Sequence, residues 1–384
     1  VNNTPLVRDT SPRETDWLAE VTGTIDRARD ALRDQQHTDH WCGTTTDAGT
    51  CTADFVLLLA FFAQHQDARI AQAANALVKS QAASGMWGDV NTSVRAYLAL
   101  KIAGHTATAP HMQRAATAIH AHGGLAATDT LTRFFLAMLG QIPYSACPVV
   151  RAETILLPRW LRAGSLACAA WERPLRVLLG IIDAHQPCTQ LPAEMGMREL
   201  LATPLEACRG AARKWQPLRA RAVRKSVNWV RKRYAHSDGL AANFHAIALN
   251  AIVLRVIGVP ATDAELRWVW QQLNALCVGE NGSLSVQPLR MPVSDTALSL
   301  IALGDVKQPA TEAMEWLLEQ EVRVAGDWTA TASATEPSGW CSQAANGFYP
   351  DVATTAQVLL AFARTGFALR EACSGAVHRA LNWL

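Results

Sequence analysis

The sequence lacks several features that would have settled its class at once. No uninterrupted apolar run approaches the roughly 20 residues of a membrane-spanning helix, and Val1 to Glu20 has no signal-peptide pattern. These absences point to a cytoplasmic protein, with peripheral contact at a membrane face as the alternative. The nine cysteines are scattered, with no C-x-x-C pair and no histidines at zinc spacing. Buried free thiols are therefore expected, with neither disulfides nor a metal. Net charge is only +2, so there is no global attraction to nucleic acid. Aromatic residues make up 7%, and no segment alternates with period two for long enough to demand a sheet.

What is present is ample material for a core, with 49% hydrophobic against 18% charged residues over a length suited to two domains. A small polar or acidic pair repeatedly opens an alanine-rich apolar run. The copies begin at Thr52-Ala53-Asp54-Phe55, Asn91-Thr92-Ser93-Val94, Asp129-Thr130-Leu131, Ser294-Asp295-Thr296 and Asp351-Val352-Ala353-Thr354-Thr355-Ala356. Neighbouring copies within each half of the chain lie about 40 to 60 residues apart, one helix pair per unit. Asp, Asn, Ser or Thr before such a run is a helix N-cap signature, because the side-chain oxygen accepts an otherwise unpaired backbone N–H.

Phe55, Leu58, Leu59 and Phe62 recur at helical spacing, as do Leu131, Phe134, Phe135 and Met138, yet the positions between them are also apolar. Helices apolar all round are inner helices. The more polar segments Ile25 to Gln36, Ile70 to Gln81 and Thr311 to Gln320 suit an outer ring. If every inner helix starts with the same cap chemistry, Thr92, Thr130, Asp295 and Asp351 should lie near one rim of their barrels.

Gln81-Ala82-Ala83-Ser84-Gly85-Met86-Trp87 reads Q-x-x-x-G-x-W at the end of an outer segment. Its chemistry is that of a helix stop: Gly takes the left-handed end, Gln bonds freed backbone groups and the indole covers the turn. Degenerate copies lie at Gln35 to Trp41, with Asp39 for the Gly, and at Glu280 to Leu284, with Leu284 for the Trp. These motifs resemble the QW motifs of the squalene-hopene and oxidosqualene cyclases. The resemblance extends through Thr132 to Tyr144, Glu153 to Pro158, Trp316 to Gln320, Gly326-Asp327-Trp328, Ser338-Gly339-Trp340 and Asn346 to Val352, covering the chain from about Ile25 onward.

The resemblance implies an all-α fold of αα-hairpin repeats wound into α-toroids. It divides the chain into an N-terminal segment, 1–47, that packs on the second barrel, an inserted toroid, 48–286, and a partial second toroid, 287–384. It further implies a class II terpene cyclase acting on a linear isoprenoid with no metal and no organic cofactor. In that family a D-x-D-D motif supplies the acid: its middle Asp, kept protonated in an apolar cavity, protonates a terminal alkene. The matching stretch here is Asp351-Val352-Ala353-Thr354, so Ala353 stands where the proton donor belongs. Thr354 takes the last position as in related diterpene-type cyclases, which read D-x-D-T-T-A.

Phe135 and Ser294 occupy positions where the triterpene enzymes carry Trp, and Ser342 one where an aromatic lines the cavity. With Glu153 at the substrate entrance, and Trp171, Trp340 and Tyr349, these complete the implied substrate-binding set. Family members continue for several repeats beyond the motif helix, and those carry the histidine that supports the acid. Either the second barrel is unfinished, or a partner or second copy completes it.

The plainer readings stand beside these. Asp295 and Asp351 are either active-site carboxylates or ordinary helix caps, and Glu153 either gates an entrance or begins a helix. His37, His40, His245 and His378 read as structural. From Ala207 to Ser237 there are ten Arg or Lys and no Asp or Glu; Arg221, Arg224, Lys225 and Lys232 share one helical face opposite Val223, Val227, Val230 and Tyr234. Such a face is either simply solvated or meets anionic lipid headgroups; nucleic-acid binding lacks interleaved stacking aromatics. The functional rivals are an isoprenoid-binding protein that has lost the acid and a zinc prenyltransferase subunit, for which no ligand-like Asp, Cys and His set is visible.

Overall fold

The structure, a computed structural model, describes residues 12–157, 168–169, 172–201, 217–235, 237–304, 309–330, 335–367 and 371–384. Among them are fourteen α-helices, several 3-10 turns and one two-stranded hairpin. The helices are α1 Pro12–Asp34, α2 Thr50–Phe61, α3 Ala68–Ser80, α4 Val90–Ile102, α5 Pro110–Ala121, α6 Thr130–Met138 and α7 Glu172–His185. There follow α8 Pro217–Arg231, α9 Phe244–Val256, α10 Ala264–Ala275, α11 Pro292–Leu303, α12 Pro309–Glu319, α13 Val352–Arg364 and α14 Glu371–Trp383. Among the described residues no helix is long and apolar enough to cross a membrane.

This is the all-α toroid architecture that the resemblance implies, built from inner and outer helices. Inner helices α2, α4, α6, α7 and α9 pack on one another, and α3, α5, α8 and α10 lie outside them. In α2 every residue from Cys51 to Phe61 is buried, because both faces meet other helices. Two hydrophobic cores form, one from residues between Cys51 and Val286 and one from Trp41 together with residues between Val293 and Ala380. The second is built on the inner pair α11 and α13, with α12 against α11 and with Cys373, Ala376 and Ala380 of α14 in the same core.

One device recurs at the QW turns. The indole N–H donates to a carbonyl near the end of the preceding outer helix: Trp41 to Leu32 (2.6 Å), Trp87 to Leu77 (2.7 Å) and Trp340 to Leu317 (2.6 Å). The backbone N–H of the same Trp meets a hydroxyl of an inner helix: Thr296, Ser93 and Thr355 respectively, each at 2.9 Å. One bulky side chain thus satisfies an outer helix end and docks it on an inner helix. Gln81 donates to Gly85 O and His111 O, both at 2.9 Å, and Gly85 takes φ 88°, where an added Cβ would meet the Arg114 carbonyl at 2.6 Å.

The Glu280 to Leu284 segment differs from the expected helix stop. β1 Cys277–Glu280 and β2 Ser283–Val286 form an antiparallel hairpin across Asn281 and Gly282, both with positive φ. Asn-Gly favours a two-residue reverse turn, and Leu284 and Val286 bury on the face towards α3. Helices α2 and α4 also start earlier than the repeat alignment places them, whereas α6 starts at its expected cap, Asp129. Asp89, two residues before Asn91, caps α4 through Thr92 N (2.8 Å), and Asp129 caps α6 through Thr132 N (2.7 Å). The Asp47 carboxylate serves α2, accepting from Gly49 N and Cys51 N, so Asp54 lies one turn inside that helix. The starts of α2, α4 and α6 share a rim, with Thr50 Oγ1 2.8 Å from Thr92 Oγ1 and Asn91 Oδ1 accepting Asp129 N at 2.7 Å.

In the second lobe, Glu321 fastens α14 to the segment after α12. Its Oε1 accepts from Arg379 Nε (3.0 Å) and Ser338 Oγ (2.7 Å), and its Oε2 from Arg379 Nη2 (2.6 Å). Burial alone would raise this carboxyl, but the bonds from Arg379 and Ser338 outweigh it and hold the group below its ordinary value. A carboxyl lowered on folding stabilises the fold above its unfolded pKa, about 4.3 for Glu, and that stability is lost as pH falls through the folded value. Urea midpoints of the second lobe should therefore hold steady above about pH 5 and fall below it. Glu321→Gln should lower the plateau and flatten the decline; an unchanged acid limb would rule out this contribution.

Candidate active site

The sequence-predicted acid motif forms the start of α13, packed beside the start of α11. Asp351 is the N-cap, and its Oδ1 accepts Thr354 N at 2.7 Å. Its backbone N–H donates to Trp340 O (2.9 Å), while Thr355 Oγ1 donates to Asp351 O (2.7 Å) and accepts Trp340 N (2.9 Å). Trp340 is fully buried in the second core, edge-on to Phe362. The QW indole and the acid motif are therefore two parts of one hydrogen-bonded turn.

Ser342 bridges the two inner helices. Its hydroxyl lies 2.9 Å from Thr354 Oγ1 and donates to Asp351 Oδ2 at 3.4 Å, and its carbonyl accepts Val293 N of α11 at 3.1 Å. Ser294 Oγ donates to Gln357 Oε1 at 2.7 Å, a second tie between α11 and α13. Asp351 Oδ1 is thus occupied by the helix start, which is cap chemistry, and Oδ2 faces the Ser342 hydroxyl. The buried thiol of Cys341 is pushed up to about 12 by burial, so it stays protonated and inert at neutral pH.

Ala353 projects from the next position and is exposed. Around it α11 and α13 leave a row of apolar side chains uncovered: Leu298 is 47% exposed, Val352 63% and Leu360 46%, with Ala356 between them. Val352, Ala356 and Leu360 recur every fourth residue, so they form one face of α13. That face can receive a hydrocarbon, and nothing on it can donate a proton.

The other expected site residues separate from this cluster. Asp295 is not a cap: α11 begins at Pro292, whose missing N–H suits the first helical position, and this leaves Asp295 inside the first turn. There its Oδ2 accepts Gly43 N at 2.9 Å and ties the N-terminal connection to α11. Phe135 is buried in the first core. Glu153 sits in a 3-10 turn, Ala152–Leu156, and accepts from Arg219 Nε at 2.9 Å; burial opposes its ionisation, but its own backbone N–H and the Arg219 guanidinium hold it below the ordinary Glu value. Tyr349 packs against the first core from the loop between Trp340 and Asp351. That loop also joins the lobes through Asp238 N to Ala345 O (2.8 Å). Trp171 lies outside the described residues. Among the described residues no three His, Cys, Asp or Glu side chains group in a way that could hold a metal ion.

A buried charge cluster in the first lobe was missed by the sequence reading. Asp54 of α2 is completely buried, and its Oδ2 meets Arg95 Nη1 of α4 at 2.6 Å and His245 Nε2 of α9 at 2.8 Å. Its Oδ1 has no hydrogen-bond partner among the described residues. The available signal was an acid one turn inside an otherwise apolar helix, a position that demands a paired charge.

Comparison with known proteins supplies the last observation. The squalene-hopene cyclase N-terminal domain family matches residues 25–214 and 207–282, and the squalene-hopene cyclase C-terminal domain family matches 290–384. A squalene-hopene cyclase of Zymomonas mobilis is 30% identical across 95% of this chain and 62% of its own length. Those of Bradyrhizobium diazoefficiens and Alicyclobacillus acidocaldarius are 30% and 28% identical, across 91% and 88% of this chain and 59% of each relative. The chain thus spans about 60% of the length of these relatives.

Proposed function

Since this chain belongs to the squalene-hopene cyclase family, we propose that it is a class II terpene cyclase by descent whose proton-donor position is vacated at Ala353. The ligand is a linear isoprenoid. In such a cyclisation a carboxylic acid O–H gives its proton to a terminal alkene carbon, a C–H bond forms, and the π electrons of successive alkenes close the rings before a final proton leaves. Alkenes are very weak bases, so the first step needs a carboxylic acid held protonated. The observation that carries the reading is the turn around Ala353: a methyl group at the donor position, with both Asp351 oxygens and the Thr354 hydroxyl engaged by Ser342 and the helix start.

Ser294, Ser342, Trp340 and Thr354 line or support the site in this reading, whereas Phe135, Glu153 and Tyr349 lie apart from it against the first core. The division into 1–47, 48–286 and 287–384 belongs to the same proposal. So does completion of the second toroid by additional repeats, a partner or a second copy, which the uncovered Leu298, Val352 and Leu360 support. The exposed Arg221, Arg224 and Lys225 of α8 support contact with anionic membrane surfaces.

The uncovered apolar row also favours a second reading, a non-catalytic isoprenoid-binding protein. Both readings require hydrocarbon binding on α11 and α13. Tritiated squalene delivered from cyclodextrin should co-elute with the protein in gel filtration, and Leu298→Asp with Leu360→Asp should reduce retention at least about tenfold, since each buried apolar side chain contributes about 1.5–3 kcal/mol. Retention unaffected by both substitutions would remove this surface from the proposal.

A further inference from the structure

The first lobe carries a second groove that the proposed cyclase site does not use. It has a volume of about 590 Å³ and lies between the end of α7, the length of α8 and the end of α9. Its floor is apolar, built from Ala184, Val223, Val227, Val256 and Ile257, and its edge carries Arg219, Arg224 and Arg231. Among the described residues no carboxylate lines it. Ala220, Val223, Arg224, Val227 and Arg231 follow one another at helical spacing, so one stripe of α8 supplies both the apolar and the cationic character.

The three guanidiniums are not equivalent. Arg231 is held by Glu265, which accepts from its Nε at 2.9 Å and its Nη2 at 2.8 Å. Arg219 is held through Nε by Glu153, and its Nη1 is buried with no acceptor among the described residues. Arg224 is exposed and has no ion pair among the described residues. Two arginines are therefore fixed in place while retaining unused donors, and a third is uncompensated. Guanidinium groups recognise phosphate oxygens through parallel N–H bonds, and a pre-oriented fork loses less entropy on binding. An apolar floor beside that anion site matches a hydrocarbon attached to the phosphate.

We propose that this groove binds the phosphate end of a long-chain phosphate ester, with the first carbons of the chain along Val223, Val227 and Ile257. The site is separate from the α11–α13 surface and stands or falls independently of the cyclase reading. The chemistry is shared by soluble alkyl or prenyl phosphates and by the headgroup of an anionic phospholipid.

Isothermal titration of the whole protein with n-octyl phosphate below its micelle concentration tests the site. Octyl phosphate should bind at least tenfold more tightly than inorganic phosphate or octyl glucoside, which supply the head and the tail separately. Ala220→Trp, an exposed position where the new ring lies over the groove, and Arg224→Glu, which reverses the uncompensated charge, should each weaken it at least tenfold with unchanged thermal melting. Sedimentation with phosphatidylglycerol vesicles separates the two sources. Loss of vesicle binding in both variants identifies a bilayer headgroup, and retention identifies a soluble phosphate ester. Octyl phosphate binding that survives both substitutions, or that is no tighter than inorganic phosphate, would overturn the proposal.

Discussion

Restoring the acid by Ala353→Asp is expected to leave the 384-residue chain inactive on squalene yet to produce cyclisation when the chain is extended to the length of its relatives. The reason lies in exposure. Position 353 faces solvent beside Val352 and Leu360, and a carboxyl there would have an ordinary pKa near about 4 and be ionised at neutral pH. Only enclosure in an apolar cavity raises such a group enough to keep its proton. A general acid contributes about 10²- to 10⁴-fold, and more where its proton creates the carbocation itself. Cyclic products measured by mass spectrometry should therefore rise by at least that range in the extended Ala353→Asp protein over its Ala353 parent. If the restored acid stays silent while squalene is still retained, the changes at Ser294 and Ser342 have reshaped the cavity, and the isoprenoid-binding reading replaces the catalytic one.

Asp54→Ala should destabilise the first lobe by about 3–5 kcal/mol. Asp54 is wholly buried and Arg95 is 5% exposed, so removing the carboxylate leaves a guanidinium in an apolar interior without its counter-charge. The loss should exceed that of Arg95→Met with Asp54→Leu together, because replacing both members of a buried pair by apolar residues of similar volume is often neutral or stabilising. Urea unfolding followed by circular dichroism measures both. A loss below about 1 kcal/mol for Asp54→Ala, the range of an exposed pair, would mean that water reaches the cluster.

The inner helix α2 was legible because burial on every side writes itself into composition, every residue from Cys51 to Phe61 being buried, whereas the comparably apolar α9 was not read as a copy of the repeat. The QW turns at Trp41 and Trp87 were legible because the Trp must reach back to a helix end, whereas the equivalent turn at Trp340 was seen only in the structure. Asp351 read ambiguously as cap or carboxylate, and its bond to Thr354 N makes it a cap in the structure. The same rule failed at Asp295, where Pro292 moves the helix start upstream. It failed again at Glu280 to Leu284, where a repeat was fitted over an Asn-Gly turn. The Asp54 cluster was hidden because its partners lie 41 and 191 residues away in the chain, and proximity over such separations comes from the toroid and not from local pattern.

The account rests on the absence of a proton donor at Ala353 and on the engagement of Asp351 and Thr354 in their own helix start. The most direct test is product analysis of the unaltered protein incubated with squalene and extracted for mass spectrometry. The account predicts that squalene is recovered unchanged, at the level of a protein-free control. Cyclic triterpenes above that control would contradict it.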